Sequence, residues 1–259
     1  MYKRQRERIT MLTEERWSAI LELVEKEKAI SVTELEKELG VSASTIRRDL
    51  TQLHMMGKLL KVHGGATSIG TQYVNRDLTM DEKYTLYSEE KRRIAEFAAT
   101  LIAPNDFVYI DAGTTTEMLV DCINEQRATY VTNSMANALK LVRKGCKVFL
   151  PGGEIKNSTE AIVGADAIDY LRRLHFTIGF FGTNGISPEV GFTTPDPNEA
   201  MIKRLAIGHS KKKYILSDRS KFQIISPVTF ASFDSATVIT DSIPDQKYKK
   251  YENIVEVGK

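Results

Sequence analysis

The stretch "SVTELEKELGVSASTIRRDLTQL" (residues 31–53) decides the fold of the first part of this chain. Ser31 followed three residues later by Glu34 is a capping-box pattern, so a helix starts there, with Val32, Leu35 and Leu39 as its apolar contacts. Gly40 supplies a tight turn, Val41 packs beneath it, and Ser42 caps a further helix running to about Leu53. On that helix Ala43, Ile46, Leu50 and Leu53 share one arc. Ser44, Thr45, Arg48, Thr51 and Gln52 occupy the opposite arc, and Arg47 sits at the margin. Two short helices joined around a glycine, the second amphipathic, spell helix-turn-helix.

The exposed arc poses a chemical question. A helix lying in a major groove needs short hydroxyls near its N-terminus and guanidinium groups for guanine edges or phosphates. The alternative is a solvated face on which Arg47 and Arg48 only aid solubility. Neighbouring segments favour the first reading. Upstream, "LTEERWSAILELVEKEKAI" predicts a helix with Thr13 as N-cap, acids in its first turn, and Trp17, Ile20, Leu21 and Val24 at helical spacing. Downstream, "GKLLKVHGGA" (57–66) reads as a short hairpin from Lys58 to Val62 that ends in Gly64-Gly65. A basic hairpin directly after such a helix is a wing, with Lys61 and His63 placed to reach phosphates or the minor groove. No second ligand stands near His63, so a metal site is not expected there.

Charge follows the same division. The chain has 259 residues, 42% hydrophobic and 27% charged, with a net charge of only +2. Residues 1–66 carry 12 Lys+Arg against 10 Asp+Glu, while residues 1–10 and 43–63 are each +3 and residues 11–42 are −4. Positive charge is thus concentrated on particular elements, as in a localised nucleic-acid footprint. No apolar run reaches the roughly 18 residues of a membrane span. The basic start is followed by neither an apolar stretch nor a cleavage site, so it is not read as a signal peptide. Cys122 and Cys146 have no metal-ligand spacing, and a reducing cytoplasm is the expected location.

Residues 67–87 read as a linker and 88–259 as an α/β body. Its first helix begins at Ser88, with Ile94, Phe97, Ala98, Leu101 and Ile102 as its apolar stripe. Apolar strands at 107–111, 128–133, 147–153, 177–185, 213–218 and 236–241 alternate with amphipathic segments, which predicts a mainly parallel, doubly wound sheet. Polar residues gather at the carboxyl ends of these strands, where such sheets place ligands. In "DAGTTTEML" (111–119), Asp111 ends a strand, Gly113 allows a tight turn, and Thr114, Thr115 and Thr116 open a helix. Amides and hydroxyls at a helix N-terminus suit phosphate. The GK[ST] ending of a P-loop is missing, which argues against a nucleoside triphosphate.

Other strand ends add Asn133 and Ser134, Gly152 and Gly153, Asn184, and Asp218 with Lys221. Singly these are turn chemistry; together they outline one pocket for a small polyhydroxylated anion. "TTPDPNEAMIK" (193–203) puts Glu199 and Lys203 four apart on a helix, either as an exposed ion pair or both facing that pocket, Lys203 toward phosphate and Glu199 toward sugar hydroxyls.

The segments "STIRRDL" and "HGGA", with "IDAGTTTEML", "YVTNS", "LPGGE", "FFGTNGIS" and "SDRSK", resemble the DeoR family of bacterial transcriptional regulators over nearly the whole chain. Residues 1–10 precede the usual "MLTEER" opening and read as an alternative start or a basic arm. The resemblance implies an N-terminal winged helix-turn-helix on operator double-stranded DNA. It also implies a sensor domain similar in fold to ribose-5-phosphate isomerase, responding to a phosphorylated sugar, and a homo-oligomer (dimer or tetramer) needing no cofactor. "GFTTPDPNEA" looks most like the fructose-operon branch, implying fructose 1-phosphate. A rival reading is a sugar-phosphate isomerase using Glu199 as the proton carrier and Lys203 as the enediolate partner. The basic head and the absence of a carboxylate at Asn184 weigh against it.

Overall fold

The computed structural model describes residues 12–258 apart from 28, 57, 63, 69–71 and 74–78. His63 therefore lies outside the described residues. The chain divides into two compact units, one up to residue 70 and one from residue 71 onward.

In the first unit, helices Thr13–Glu27, Val32–Leu39 and Ala43–Met55 pack over a three-stranded antiparallel sheet of Ala29–Ser31, Gly65–Thr67 and Leu60–Val62, in that order. Local chemistry sets the helix ends. Ser31 and Glu34 form both halves of the capping box, Gly40 turns the chain at φ +67°, and the Ser42 hydroxyl accepts the Thr45 amide. Thr13 is the first helical residue rather than the cap, because the Arg16 amide already donates to the Leu12 carbonyl. Ile20, Val24, Leu35, Ile46, Leu50, Leu53 and Leu59 form the core. The wing is larger than its sequence suggests. It returns through Gly65–Thr67, one residue past the expected boundary at 66, and runs so close to the Ile30 carbonyl that only glycine fits at position 65.

The second unit is built on a seven-stranded sheet, all parallel: Ile254–Glu256, Thr237–Thr240, Ser210–Leu216, Phe176–Gly182, Phe107–Ile110, Thr129–Thr132, Lys147–Phe149. Alternate residues feed two cores. Tyr109, Val131, Phe181, Ile215 and Val238 meet helices Ala165–Leu171 and Pro197–Gly208 on one face. Val108, Ile110, Tyr130, Phe180 and Ile239 meet helices Ser88–Ala99, Thr114–Cys122 and Met135–Arg143 on the other. The sheet is doubly wound, and the strand order reverses between Phe107–Ile110 and Phe176–Gly182.

Three features depart from expectation. Residues 67–87 are not a bare linker: Gln72–Tyr73 pairs with Ile224–Ile225, and Met80–Thr85 is a helix with its own capping box. Phe97 is 37% exposed, since the buried stripe of its helix is Lys91, Ile94, Ala95 and Ala98. The segment after Gly182 leaves the main sheet for a small antiparallel one of Gly185–Ser187, Gly191–Thr194 and Val228–Ala231. No helix among the described residues is long and apolar enough to cross a membrane.

Candidate functional site

On helix Ala43–Met55 the side chains of Ser44, Arg47 and Arg48 are exposed and those of Thr45 and Thr51 half-buried, opposite the buried Ile46, Leu50 and Leu53. Neither arginine has an ion-pair partner among the described residues. The wing is tied to this helix, because Lys61 Nζ donates to Thr51 Oγ1 (2.7 Å) and the Lys61 amide to His54 Nδ1 (3.4 Å). The helix is fixed from behind by a residue the sequence reading passed over. Asp49 is buried, and its carboxylate accepts Arg16 Nε (2.5 Å), Arg16 Nη2 (3.1 Å) and Trp17 Nε1 (2.9 Å). An acid between "RR" and "L" looks like part of the polar face, yet helical spacing puts it beside Ile46 and Leu53.

In the sensor unit a cavity opens at the carboxyl ends of the two strands that flank the reversal, the position at which doubly wound sheets bind ligands. Of the residues singled out in the sequence, Gly113, Thr114, Thr115, Thr116, Asn184, Glu199, Lys203 and Lys221 line it. Gly113, at φ +155°, turns the chain into helix Thr114–Cys122, whose N-terminus has no side-chain cap. Thr116 Oγ1 donates back to the Gly113 carbonyl (2.9 Å). Free backbone amides at that end face anion chemistry.

Asp111 lies one layer beneath. Its Oδ2 accepts the Gly182 amide (3.0 Å) and the Lys203 ammonium, and Lys203 also donates to the Gly182 carbonyl (3.2 Å). Burial pushes the Asp111 carboxyl above its ordinary range, while Lys203 pulls it back. Glu199 does not pair with Lys203. Its Oε1 accepts Thr159 Oγ1 and Lys156 Nζ (3.3 Å). Both side chains are buried, so an exposed i,i+4 pair is not formed. Lys203, expected toward phosphate, lines the cavity and is paired with Asp111.

Besides Asp111, four of the singled-out residues stand outside the lining. Asn133 braces the loop: its Oδ1 accepts Tyr109 Oη and the Ala112 amide (both 3.1 Å), and its Nδ2 donates to the Ile162 carbonyl. Ser134 caps helix Met135–Arg143 through the Asn137 amide (3.3 Å). Gly152 and Gly153 lead into hairpin Glu154–Ile155/Ile162–Val163, where Gly153 runs against the Val163 carbonyl. Asp218, noted beside Lys221 in the sequence, lines the cavity too; Lys83, Tyr87, Lys91, Thr159 and Ser217 also line it and were not assigned to it. Lys91 sits three residues before Ile94 on the stripe that packing buries, which differs from the one expected through Phe97. No group of three or more His, Cys, Asp or Glu among the described residues could hold a metal ion.

Two protein-family descriptions match the chain: the DeoR C terminal sensor domain over residues 87–242 and the DeoR-like helix-turn-helix domain over 16–72. The chain belongs to the DeoR family. It is 38% identical over 252 residues to the HTH-type transcriptional regulator FruR of Bacillus subtilis, covering 96% of this chain and all of that one. It is 36% identical over 250 residues to the lactose phosphotransferase system repressor of Staphylococcus epidermidis (94% and 98% covered). Identity to the regulator GlpR of Haloferax volcanii is 37% over 237 residues (91% and 92% covered). Among solved structures, ribose 5-phosphate isomerase A of Methanocaldococcus jannaschii matches with a TM-score of 0.40 at 12% identity, over 52% of this chain and 55% of that one. That likeness is too slight to bear on chemistry. As a member of this family the chain is a regulator and not an enzyme, and the isomerase reading falls away. Within the site itself, Glu199 and Lys203 are each engaged by other residues.

Proposed function

We propose that this DeoR-family chain represses a sugar-utilisation operon and is released from its operator by a phosphorylated sugar, fructose 1-phosphate being the first candidate. The observation that carries the reading is the sensor cavity. It sets an uncapped helix N-terminus, three buried threonines and the half-buried Lys221 around one space at the strand-order reversal. Amides, hydroxyls and an ammonium converging there suit a phosphate ester, and Asn184 and Glu199 offer partners for sugar hydroxyls. Lys203 then serves by holding Asp111 and the Gly182 carbonyl in place, with Asn133 and Ser134 bracing the loops behind.

On the head, Arg47 and Arg48 supply charge for phosphates or guanine edges. Ser44, Thr45 and Thr51 lie near the groove floor, and Lys61 carries the wing. His63 is assigned to the same wing on sequence alone. Two heads of a cytoplasmic homodimer or tetramer would read half-sites related by its symmetry. Release requires that the sugar phosphate bind the DNA-free arrangement more tightly than the DNA-bound one.

The test is calorimetry of the purified protein with fructose 1-phosphate, fructose 6-phosphate and fructose, beside mobility shifts on duplexes selected by the protein from a random library. Binding of a phosphorylated sugar but not of fructose, with loss of the shifted duplex at the same concentrations, is expected. Equal binding of fructose, or a duplex indifferent to every sugar phosphate, would remove the reading.

A further inference from the structure

Among its described residues the sensor unit buries two lysines almost completely, Lys91 at 3% and Lys203 at 4% exposure. They are compensated very differently. Lys203 pairs with Asp111. Lys91 lines the cavity, has no ion-pair partner among the described residues, and donates to the backbone carbonyl of Lys83. An ammonium has three protons to place, and one neutral acceptor leaves a buried charge under-compensated. The Lys91 ammonium is pushed down to about 8, chiefly by burial; Asp218 and Glu90 pull it up, while Lys221 and Lys83 add to the lowering.

The Lys83 carbonyl belongs to the last turn of helix Met80–Thr85, where carbonyls have no intrahelical donor. Met80 and Lys83 of this helix, with Leu86 and Tyr87 just after it, form one wall of the cavity. Six residues cannot hold helical structure alone. Besides its capping box and its packing against helix Thr114–Cys122, the helix is tied by the Met80 amide to the Ser158 carbonyl (3.3 Å), and Lys91 holds its last turn. Among the described residues it is also the first helix of the sensor unit, hence the one nearest in sequence to the head.

We propose that Lys91 is the switch residue of the effector site: its ammonium binds the phosphate of the sugar phosphate and in doing so releases the Lys83 carbonyl, loosening helix Met80–Thr85. This rests on the sugar-phosphate reading above. A phosphate oxygen is a stronger acceptor for an ammonium than a neutral carbonyl, so the exchange runs toward the ligand. Occupancy of the cavity is thereby converted into order or disorder of the segment that leads toward the head, a recurring form of switching.

The experiment uses the full chain and two variants, Lys91→Met and Lys91→Gln, with hydrogen exchange at residues 80–87 and calorimetry against fructose 1-phosphate, fructose and inorganic phosphate. In the native protein, saturation with fructose 1-phosphate should speed exchange at 80–87, and fructose should not. Lys91→Gln can still donate to the Lys83 carbonyl, so its resting exchange should stay slow. Its affinity for fructose 1-phosphate should fall about tenfold or more, and ligand should no longer speed exchange. Lys91→Met should exchange fast at 80–87 with or without ligand. Native binding with Lys91→Gln binding equally well, or native exchange at 80–87 unmoved at saturation, overturns the switch alone. Failure of the native protein to bind any phosphorylated sugar overturns the sugar-phosphate reading and the switch with it. Inorganic phosphate that binds as tightly as the ester and speeds exchange at 80–87 in the native protein but not in Lys91→Gln would assign the cavity to free phosphate, overturning the sugar-phosphate reading but supporting Lys91 as the phosphate contact.

Discussion

Arg48 and Asp49 are neighbours in sequence and opposites in role. The Arg48 side chain is exposed and has no ion-pair partner among the described residues, whereas Asp49 is buried under three donors from Arg16 and Trp17. Their substitutions should separate cleanly. Arg48→Ala should leave the melting temperature of the head unchanged, weaken duplex binding, and reduce the salt dependence of that binding by about one unit if the contact is to phosphate. Asp49→Ala should cost about 2–3 kcal/mol of stability, because it strands a guanidinium and an indole N–H together. Its loss of DNA binding should follow its unfolding curve. Denaturation midpoints beside mobility shifts at two salt concentrations check both, and a stable Asp49→Ala variant would show that the carboxylate anchors nothing.

Among elements, helix Thr114–Cys122 invites the sharpest test, since its N-terminus has no side-chain cap yet begins with three buried threonines. A threonine kept for stability would act as an N-cap, and the residue at that position is Gly113 instead. If the Thr115 hydroxyl contacts phosphate, one charge-assisted bond is at stake, worth roughly 1.5–3 kcal/mol. Thr115→Ala should then lower affinity for fructose 1-phosphate about tenfold or more, without altering DNA binding in the absence of ligand. Calorimetry with a melting curve decides the matter. Unchanged affinity with a lowered melting temperature would make Thr115 a packing residue. The wing is joined to helix Ala43–Met55 by the hydrogen bond from Lys61 to Thr51.

For the whole molecule, the division near residue 70 leads to a thermodynamic expectation. Each unit has its own core, so each should melt cooperatively by itself, giving two calorimetric transitions in the absence of DNA. A ligand held wholly within the sensor unit stabilises only that transition, by about 2.7 kcal/mol at a hundredfold excess over its dissociation constant. Scanning calorimetry with and without fructose 1-phosphate checks this. One transition that shifts as a unit would mean that the two parts do not unfold independently.

The amino-acid sequence alone determined whatever depends on neighbours along the chain. Ser31, Glu34, Gly40 and Ser42 place the helix ends of the head through caps and a left-handed turn, and those interactions span only a few residues. The alternation of apolar strands and amphipathic segments was likewise enough to read a doubly wound sheet and to locate the threonine loop at a strand end. Tertiary structure decided what joins distant positions. Asp111 meets Lys203 across 92 residues, a pairing that the four-residue spacing of Lys203 from Glu199 did not reveal. Lys91 faces the cavity because packing chose the stripe 91, 94, 95 and 98 over the more apolar one through Phe97, so apolar spacing alone pointed to the wrong face. Gly152 and Gly153 end a strand as the pocket residues do, yet that strand is at the sheet edge, two places from the order reversal, and the cavity lies elsewhere. Strand order is set by which faces bury most surface together, a property of the assembled sheet rather than of any segment.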